Sequence, residues 1–284
     1  MIGIPLIRIR IRMKSIFVVN AFYLSLASTA ENQVRADLIA DAETIVPAAT
    51  IRVGLLLTLP KHAHVYWRNP GDSGLASGVE WNVPQGVTVG DLQWPNPKRF
   101  EVEGLEDTNH GYEDQILLYS DVSVPKDAFG TLTLSVRAYW LLCLDDGVCI
   151  PEDAELSLVV PIASTKKPSA HIATFDTFAA RVPRSSESHD VPLKIQSAKD
   201  VGKLTVTTTA PWEFIATSEE DEANFFPDEG VAWRRVGPRA NGGSIRAEFR
   251  AAKADEAVFT GVLTLLVRNT QTEKYETLFV SIAE

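Results

Sequence analysis

Sulfur is scarce in this sequence. Cys143 and Cys149 are the only cysteines among 284 residues, which rules out a multi-bridge disulfide scaffold, a Cys-rich metal site and a Cys-x-x-Cys redox motif. A phosphate-binding loop and a dinucleotide fingerprint are also missing, so the common nucleotide-dependent enzymes are set aside. Beyond the N-terminus no stretch reaches 18 apolar residues, which excludes a further membrane-spanning helix. Positive charge is short as well. Residues 1–30 hold Arg8, Arg10, Arg12 and Lys14 and no acidic residue, which leaves 23 of the 27 basic residues against 37 acidic ones, a net charge of −14. That balance argues against nucleic acid or an anionic membrane as partner.

The N-terminus has the pattern of an export signal. Lys14 precedes an apolar stretch from Ile16 to Ala27, interrupted by Asn20, and Ser28-Thr29-Ala30 places small residues before a cleavage point. This predicts a signal peptide over residues 1–30, with Met13 as a candidate start. The apolar stretch is short for a retained anchor, so no stable membrane span is expected after cleavage. Export and a single cysteine pair together suit an oxidising compartment.

Period-two alternation dominates the rest. Strands are expected at Thr50–Leu59, His62–Arg68, Val79–Val83, Ile116–Val124, Thr131–Trp140 and Glu155–Pro161, separated by Pro/Gly/Asn/Asp clusters. Residues 163–190 are more polar and include one helical pattern, Ile172, Phe175, Phe178 and Ala179. Strand patterns resume at Leu204–Thr209, Phe214–Thr217, Ser244–Ala251, Val258–Arg268 and Glu276–Ala283. The expected fold class is therefore all-β: a β-sandwich over 31–162, a linker with a short helix over 163–190, and a second β-sandwich over 191–284. Trp212, Phe214, Phe225, Phe226 and Trp233 in the second half read as core or interface rather than a ligand box.

Leu132, Leu134, Val136, Ala138 and Trp140 share one face of a strand that runs into Cys143. Asp146-Gly147 between the cysteines is a hairpin signal. With Asp145-Asp146-Gly147 as a three-residue loop and Gly147 left-handed, Leu144 faces Val148 and Cys143 faces Cys149. Opposed strand residues lie about 4.5–5.5 Å apart at Cα, within disulfide range. The thiols can then bond and part without moving the backbone. As a staple the bond is weak, since closing about seven residues constrains the unfolded chain by about 2.4 kcal/mol, against roughly 4 kcal/mol for a bridge spanning fifty. A redox-active dithiol is the functional reading; a small structural stabiliser is its rival. Asp145, Asp146, Glu152 and Asp153 flank the pair and disfavour a thiolate, which points to an electron donor rather than a strong oxidant.

Other candidates are weaker. His62 and His64 alternate on one expected strand and could begin a copper or zinc site, but no third ligand lies at familiar spacing, so two surface histidines is the plainer expectation. Gly71-Asp72-Ser73-Gly74 resembles the nucleophile segment of trypsin-like proteases, yet Leu75 replaces the next glycine and no matching histidine motif precedes it; turn chemistry explains it better. A dithiol in an oxidising compartment benefits from an aromatic lid. Phe100, between Arg99 and Glu101 in a charged loop, is the first choice, with Tyr66 and Tyr112 as possible surroundings.

Tyr66-Trp67-Arg68-Asn69-Pro70-Gly71-Asp72-Ser73-Gly74, Gln93-Trp94-Pro95, Gly111-Tyr112 and Cys143-x5-Cys149-Ile-Pro together resemble the N-terminal periplasmic domain of DsbD-type thiol:disulfide interchange proteins, and among them the ScsB-like subgroup. The resemblance covers about residues 35–162 and extends through the second β-domain. It implies an immunoglobulin-like sandwich in the periplasm, with Cys143 and Cys149 as the exchanging pair and no cofactor. Its implied partners are thioredoxin-fold proteins that receive electrons and a membrane component that supplies them. It also implies a cap loop between about Trp94 and His110. The family continues into a transmembrane and a thioredoxin-like domain, whereas this sequence ends at Glu284, so a separate membrane electron donor is expected. The residues do not order the two cysteines in the exchange. The alternative function is a non-catalytic secreted binding module for a protein or copper, with a structural disulfide.

Overall fold

The structure is a computed structural model that describes residues 33–101, 108–215, 224–230, 233–236 and 246–283. The expected signal peptide lies outside these residues.

The first half is built from β1 (Arg35–Ala40), β2 (Ala42–Thr44), β3 (Thr50–Thr58), β4 (Ala63–Gly71), β5 (Gly78–Asn82), β6 (Thr88–Val89), β7 (Lys98–Glu101), β8 (Thr108–Glu113), β9 (Gln115–Ser123), β10 (Thr131–Leu144) and β11 (Cys149–Pro161). One sheet runs β1-β3-β9-β6; the other runs β11-β10-β4-β8-β7, with β5 also paired to β10. Apart from short bridges the ladders here are antiparallel, so each strand can turn one face inward and one outward. Leu132, Leu134, Val136, Ala138 and Trp140 are all buried, as the period-two stripe requires. The core divides along the strands: Ile51 and Val53 of β3 join Leu132, Leu134 and Val136 in one cluster, while Leu55 and Leu57 join Ala138, Trp140, Leu142 and Trp67 in the next.

The expected strand at His62 starts one residue later. His62 has φ +61° and sits in the turn before β4, so it does not alternate with His64 on one strand. Strands β1, β2, β6, β7 and β8 are additions to the sequence reading.

Residues 163–190 hold more structure than a tether. Helix α1 (Ile172–Ala179) buries Phe175 and Phe178 in the core of the first half, its apolar side chains spaced to present one face. Arg52 pairs with Asp176 at 2.9 Å and lies over the Phe175 ring.

The C-terminal part has two sheets. One orders Arg184–Ser185, Lys274–Ile282, Gly261–Asn269 and Trp212–Phe214, with Asn224–Pro227 also on Gly261–Asn269; the other orders Lys194–Ala198, Lys203–Thr207, Arg246–Ala251 and Trp233–Val236. They enclose a core that includes Phe214, Phe225, Trp233, Phe249 and Leu265. Phe226 and Val262 are exceptions, because they pack into the cluster of the first half. The aromatics of this region are thus core and contact residues, as their composition suggested.

Candidate active site

The cysteine hairpin has the register that its sequence dictates. Leu144 N–H donates to Val148 O at 2.9 Å and Gly147 N–H to Leu144 O at 2.9 Å. Gly147 takes φ +86°, a left-handed value that glycine reaches without steric cost. Asp146 Oδ1 accepts from Val148 N at 3.1 Å, so this carboxylate tightens its own turn. The closely bonded pair at Leu144/Val148 makes Cys143/Cys149 the adjacent non-hydrogen-bonded pair, where strands approach most closely. Cys143 and Cys149 are register partners joined by a disulfide, with their Cα atoms 4.1 Å apart.

The two sulfurs live in different surroundings. Cys143 is 2% exposed; Cys149, at the start of the edge strand β11, is exposed. The alternation that buries Trp140 and Leu142 inward turns Leu141 and Cys143 outward, where they form a small apolar cluster with Tyr66. Tyr66 Oη lies 3.1 Å from Cys143 Sγ. A disulfide sulfur carries no hydrogen, so the phenol donates. Asn109 Nδ2 in turn approaches Tyr66 Oη at 3.5 Å, and Ser73 Oγ donates to Asn109 Oδ1 at 2.9 Å. Burial raises the Tyr66 pKa, which keeps the phenol a donor. The turn from Asn69 to Gly74 wraps this chain of bonds; a Cβ on Gly74 would stand 2.2 Å from the Tyr66 ring.

His64 faces Cys143 across the β4–β10 ladder. Its ring stacks on Phe100 with centroids 4.7 Å apart and planes at 16°, and meets Tyr66 edge-on at 5.2 Å. Desolvation lowers its pKa against the pull of Asp145 and Glu113. Its Nε2 is buried without a hydrogen-bond partner.

Phe100, expected in a loop, instead lies on the short strand β7, opposite Asn109 of β8. Residues 102–107 of the expected cap loop lie outside the described residues. Phe100 and Tyr66 thus share the outer face with Cys143. Tyr112 does not: it is register partner to Val65, is buried in the sandwich core, and donates its hydroxyl to Pro95 O at 2.7 Å. His62 is exposed and meets Asp145 at 3.1 Å, while His64 is part-buried, so the two are not a surface pair. Among the described residues no three His, Cys, Asp or Glu side chains gather as metal ligands, and Ser73 spends its hydroxyl on Asn109. Glu152 accepts from Trp140 Nε1 at 2.8 Å.

Asn109 is the member that sequence reasoning missed, and His64, weighed as a metal ligand or a surface histidine, was not placed beside the cysteines. His64 stands two residues before Tyr66, and therefore on its face, which was the available signal. Asn109 gave none, because its place depends on the β4–β8 pairing.

Residues 35–161 match the family model described as "Thiol:disulfide interchange protein DsbD, N-terminal". The match supports a DsbD-type N-terminal domain over these residues. The wider chain resembles the solved N-terminal periplasmic domain of ScsB from Proteus mirabilis, with TM-score 0.54 and 17% identity over 92% of this chain and 97% of that one. At that identity the likeness speaks for the all-β, immunoglobulin-like fold. No curated protein matched the chain. The family match supports a thiol:disulfide interchange module in general terms. Among the described residues no helix is long and apolar enough to cross a membrane.

Proposed function

We propose that this chain is a periplasmic thiol–disulfide exchange module that relays electrons through the Cys143/Cys149 dithiol to thioredoxin-fold proteins and is reduced in turn by a membrane electron donor. In this reading residues 1–30 are a cleaved signal, 31–162 the dithiol domain, 163–190 a linker and 191–284 a second β-domain.

The observation that carries the reading is the unequal pair: one sulfur open to an incoming thiolate and its partner buried beneath a phenol donor. In the reduced form, Cys149 thiolate attacks a partner's disulfide, forming a mixed disulfide and releasing one partner thiolate. Cys143 thiolate then attacks Cys149 Sγ, closing the bond described here and releasing the second partner thiolate. The partner gains two electrons and, from solvent, two protons. The reverse sequence recharges the module: a donor thiolate attacks Cys149, and Cys143 leaves as a thiolate. Tyr66 O–H lies where that negative charge develops, and a hydrogen bond to an ionised sulfur is stronger than one to a neutral atom.

Single-cysteine variants provide the test. Cys143→Ser leaves the exposed sulfur and should accumulate mixed disulfides with a thioredoxin-fold protein; Cys149→Ser leaves the buried sulfur and should not. In a redox titration the wild-type pair should equilibrate at a potential above about −300 mV, the region below which structural disulfides resist reduction. A bond that resists mild thiols and forms no adduct would reduce the pair to a staple.

A further inference from the structure

We propose that the C-terminal sheets hold a wall of Phe100 and His64 in the line of approach to Cys143, so that incoming thiolates are directed to Cys149. The inference rests on the exchange reading and adds a task for the C-terminal half.

Displacement at a disulfide places attacking, central and leaving sulfurs nearly in line. Attack on Cys149 therefore arrives from the side away from Cys143, across the edge strand β11, where the sheet ends. Attack on Cys143 must arrive from the side away from Cys149. The next strand on that side is β4, and the residue at that level is His64. Its ring is backed by the stacked ring of Phe100. Together with Tyr66, whose hydroxyl lies 3.1 Å from Cys143 Sγ, these rings stand on that side of the sulfur.

Phe100 stands on a four-residue strand at the edge of its sheet, paired among the described residues only to β8. Such a strand has little intrinsic hold. Its support comes from behind. Successive strand residues face opposite ways, so Arg99 points away from Phe100, and its guanidinium donates to the carbonyl of Trp233. Three residues upstream of Arg99, the buried Asn96 accepts through Oδ1 from Thr264 Oγ1 at 2.9 Å. The Asn96 N–H donates to Arg181 O at 2.8 Å, and Arg181 Nη2 donates to Asn96 O at 3.2 Å. On β8, the His110 ring meets Phe226 at 5.1 Å.

The turn that packs on Tyr66 is fixed from the same quarter. Asn69 Nδ2 donates to Pro227 O at 2.8 Å in a buried bond, and Arg68 pairs with Asp228. Thus the segment Phe226–Asp228, with Trp233 and Thr264, anchors both the strand that carries Phe100 and the turn that covers Tyr66. Buried polar groups of this kind are costly to leave unpaired, which makes the anchorage specific. Fixing Arg99 fixes the direction of Phe100, because the two are successive residues of one strand.

The test uses the full chain, oxidised, with glutathione as the incoming thiol. A short reaction is quenched with N-ethylmaleimide, and peptide mapping reads which cysteine carries glutathione and which the maleimide. Wild type should carry glutathione on Cys149. Phe100→Ala should shift the Cys149:Cys143 adduct ratio toward Cys143 by about fivefold or more. Thr264→Val and Asn69→Asp, which break anchors that do not touch the sulfurs, should shift it in the same direction, and adding Thr264→Val to Phe100→Ala should give no further shift. An unchanged ratio in folded Thr264→Val overturns the proposal, as does an unchanged ratio in Phe100→Ala. Should Asn69→Asp unfold, Thr264→Val decides alone, since it removes one hydroxyl and keeps the shape. Failure of the exchange reading shows separately, as a wild-type bond that resists mild thiols and a Cys143→Ser variant that forms no adduct with thioredoxin-fold proteins.

Discussion

On the inner face of the dithiol sheet, Val65, Trp67, Ala138, Trp140 and Leu142 pack among other apolar side chains. On the outer face, one residue along the same strands, His64, Tyr66 and Cys143 meet aromatic edges and polar partners at defined distances. The inner face is governed by apolar area removed from water, which is tolerant of detail and costly to lose. The outer face buries only a small cluster, Tyr66, Leu141 and Cys143, and depends on where single atoms point. Period-two alternation lets one ladder serve both, with stability and reactivity only one residue apart.

Substitutions at neighbouring positions should therefore separate the two. The largest effect is expected on the outer face. Cys149→Ser should abolish exchange with a thioredoxin-fold substrate, while urea unfolding shows a loss of only about 2.4 kcal/mol from the opened loop; a larger loss would make the bond a staple. Next is the inner face: Trp67→Ala, at a fully buried position, should lower the unfolding free energy by about 3–5 kcal/mol.

A third expectation concerns His110, which is 1% exposed and whose pKa is lowered to about 4, first by desolvation and then by Arg99, against opposing pulls from the Asn69 backbone and Asp72. Above about pH 6.5 neither folded nor unfolded chain protonates this ring, so it has no effect on stability. Between 6.5 and about 4 the unfolded chain takes the proton and the native one does not, so stability falls with pH by up to about 3 kcal/mol. Urea midpoints compared at pH 7 and pH 4.5 should show a smaller drop for His110→Gln than for wild type.

The smallest effect is again on the outer face. Tyr66→Phe should slow reduction of the disulfide about tenfold, equal to one hydrogen bond to a charged group, with little change in stability. Stopped-flow mixing with a thioredoxin-fold reductant reads the rate, and equal rates would leave the phenol as packing alone.

The parts of the fold written in local sequence were legible. Asp146-Gly147 and the stripe from Leu132 to Trp140 specify the hairpin, its register and its inward face without reference to anything distant. Helix α1 was readable from Phe175 and Phe178, but not its docking, which depends on a hydrophobic slot elsewhere. Strand β8 was unreadable because Thr-Asn-His-Gly-Tyr has poor strand propensity; it is a strand because β4 and β7 flank it and Phe226 covers His110. The same limit explains the site. Alternation says that His64 and Tyr66 share a face, but not that Phe100 will cover it, because β7 reaches that position through pairing at long sequence separation. The reading as a surface residue holds for His62 and fails for His64, which is part-buried, for this reason.

The tip that carries the sulfurs is closed by its own amides and by the Asp146 carboxylate, none of which involves a cysteine. Parting the sulfurs therefore leaves the jaws of the clasp in place, and each turnover begins and ends with the same backbone. Little reorganisation stands between one redox state and the other. The pace of electron flow through this molecule should accordingly be set by how partners dock and how protons follow, and nuclear magnetic resonance shifts on reduction should stay confined to the few residues that touch sulfur.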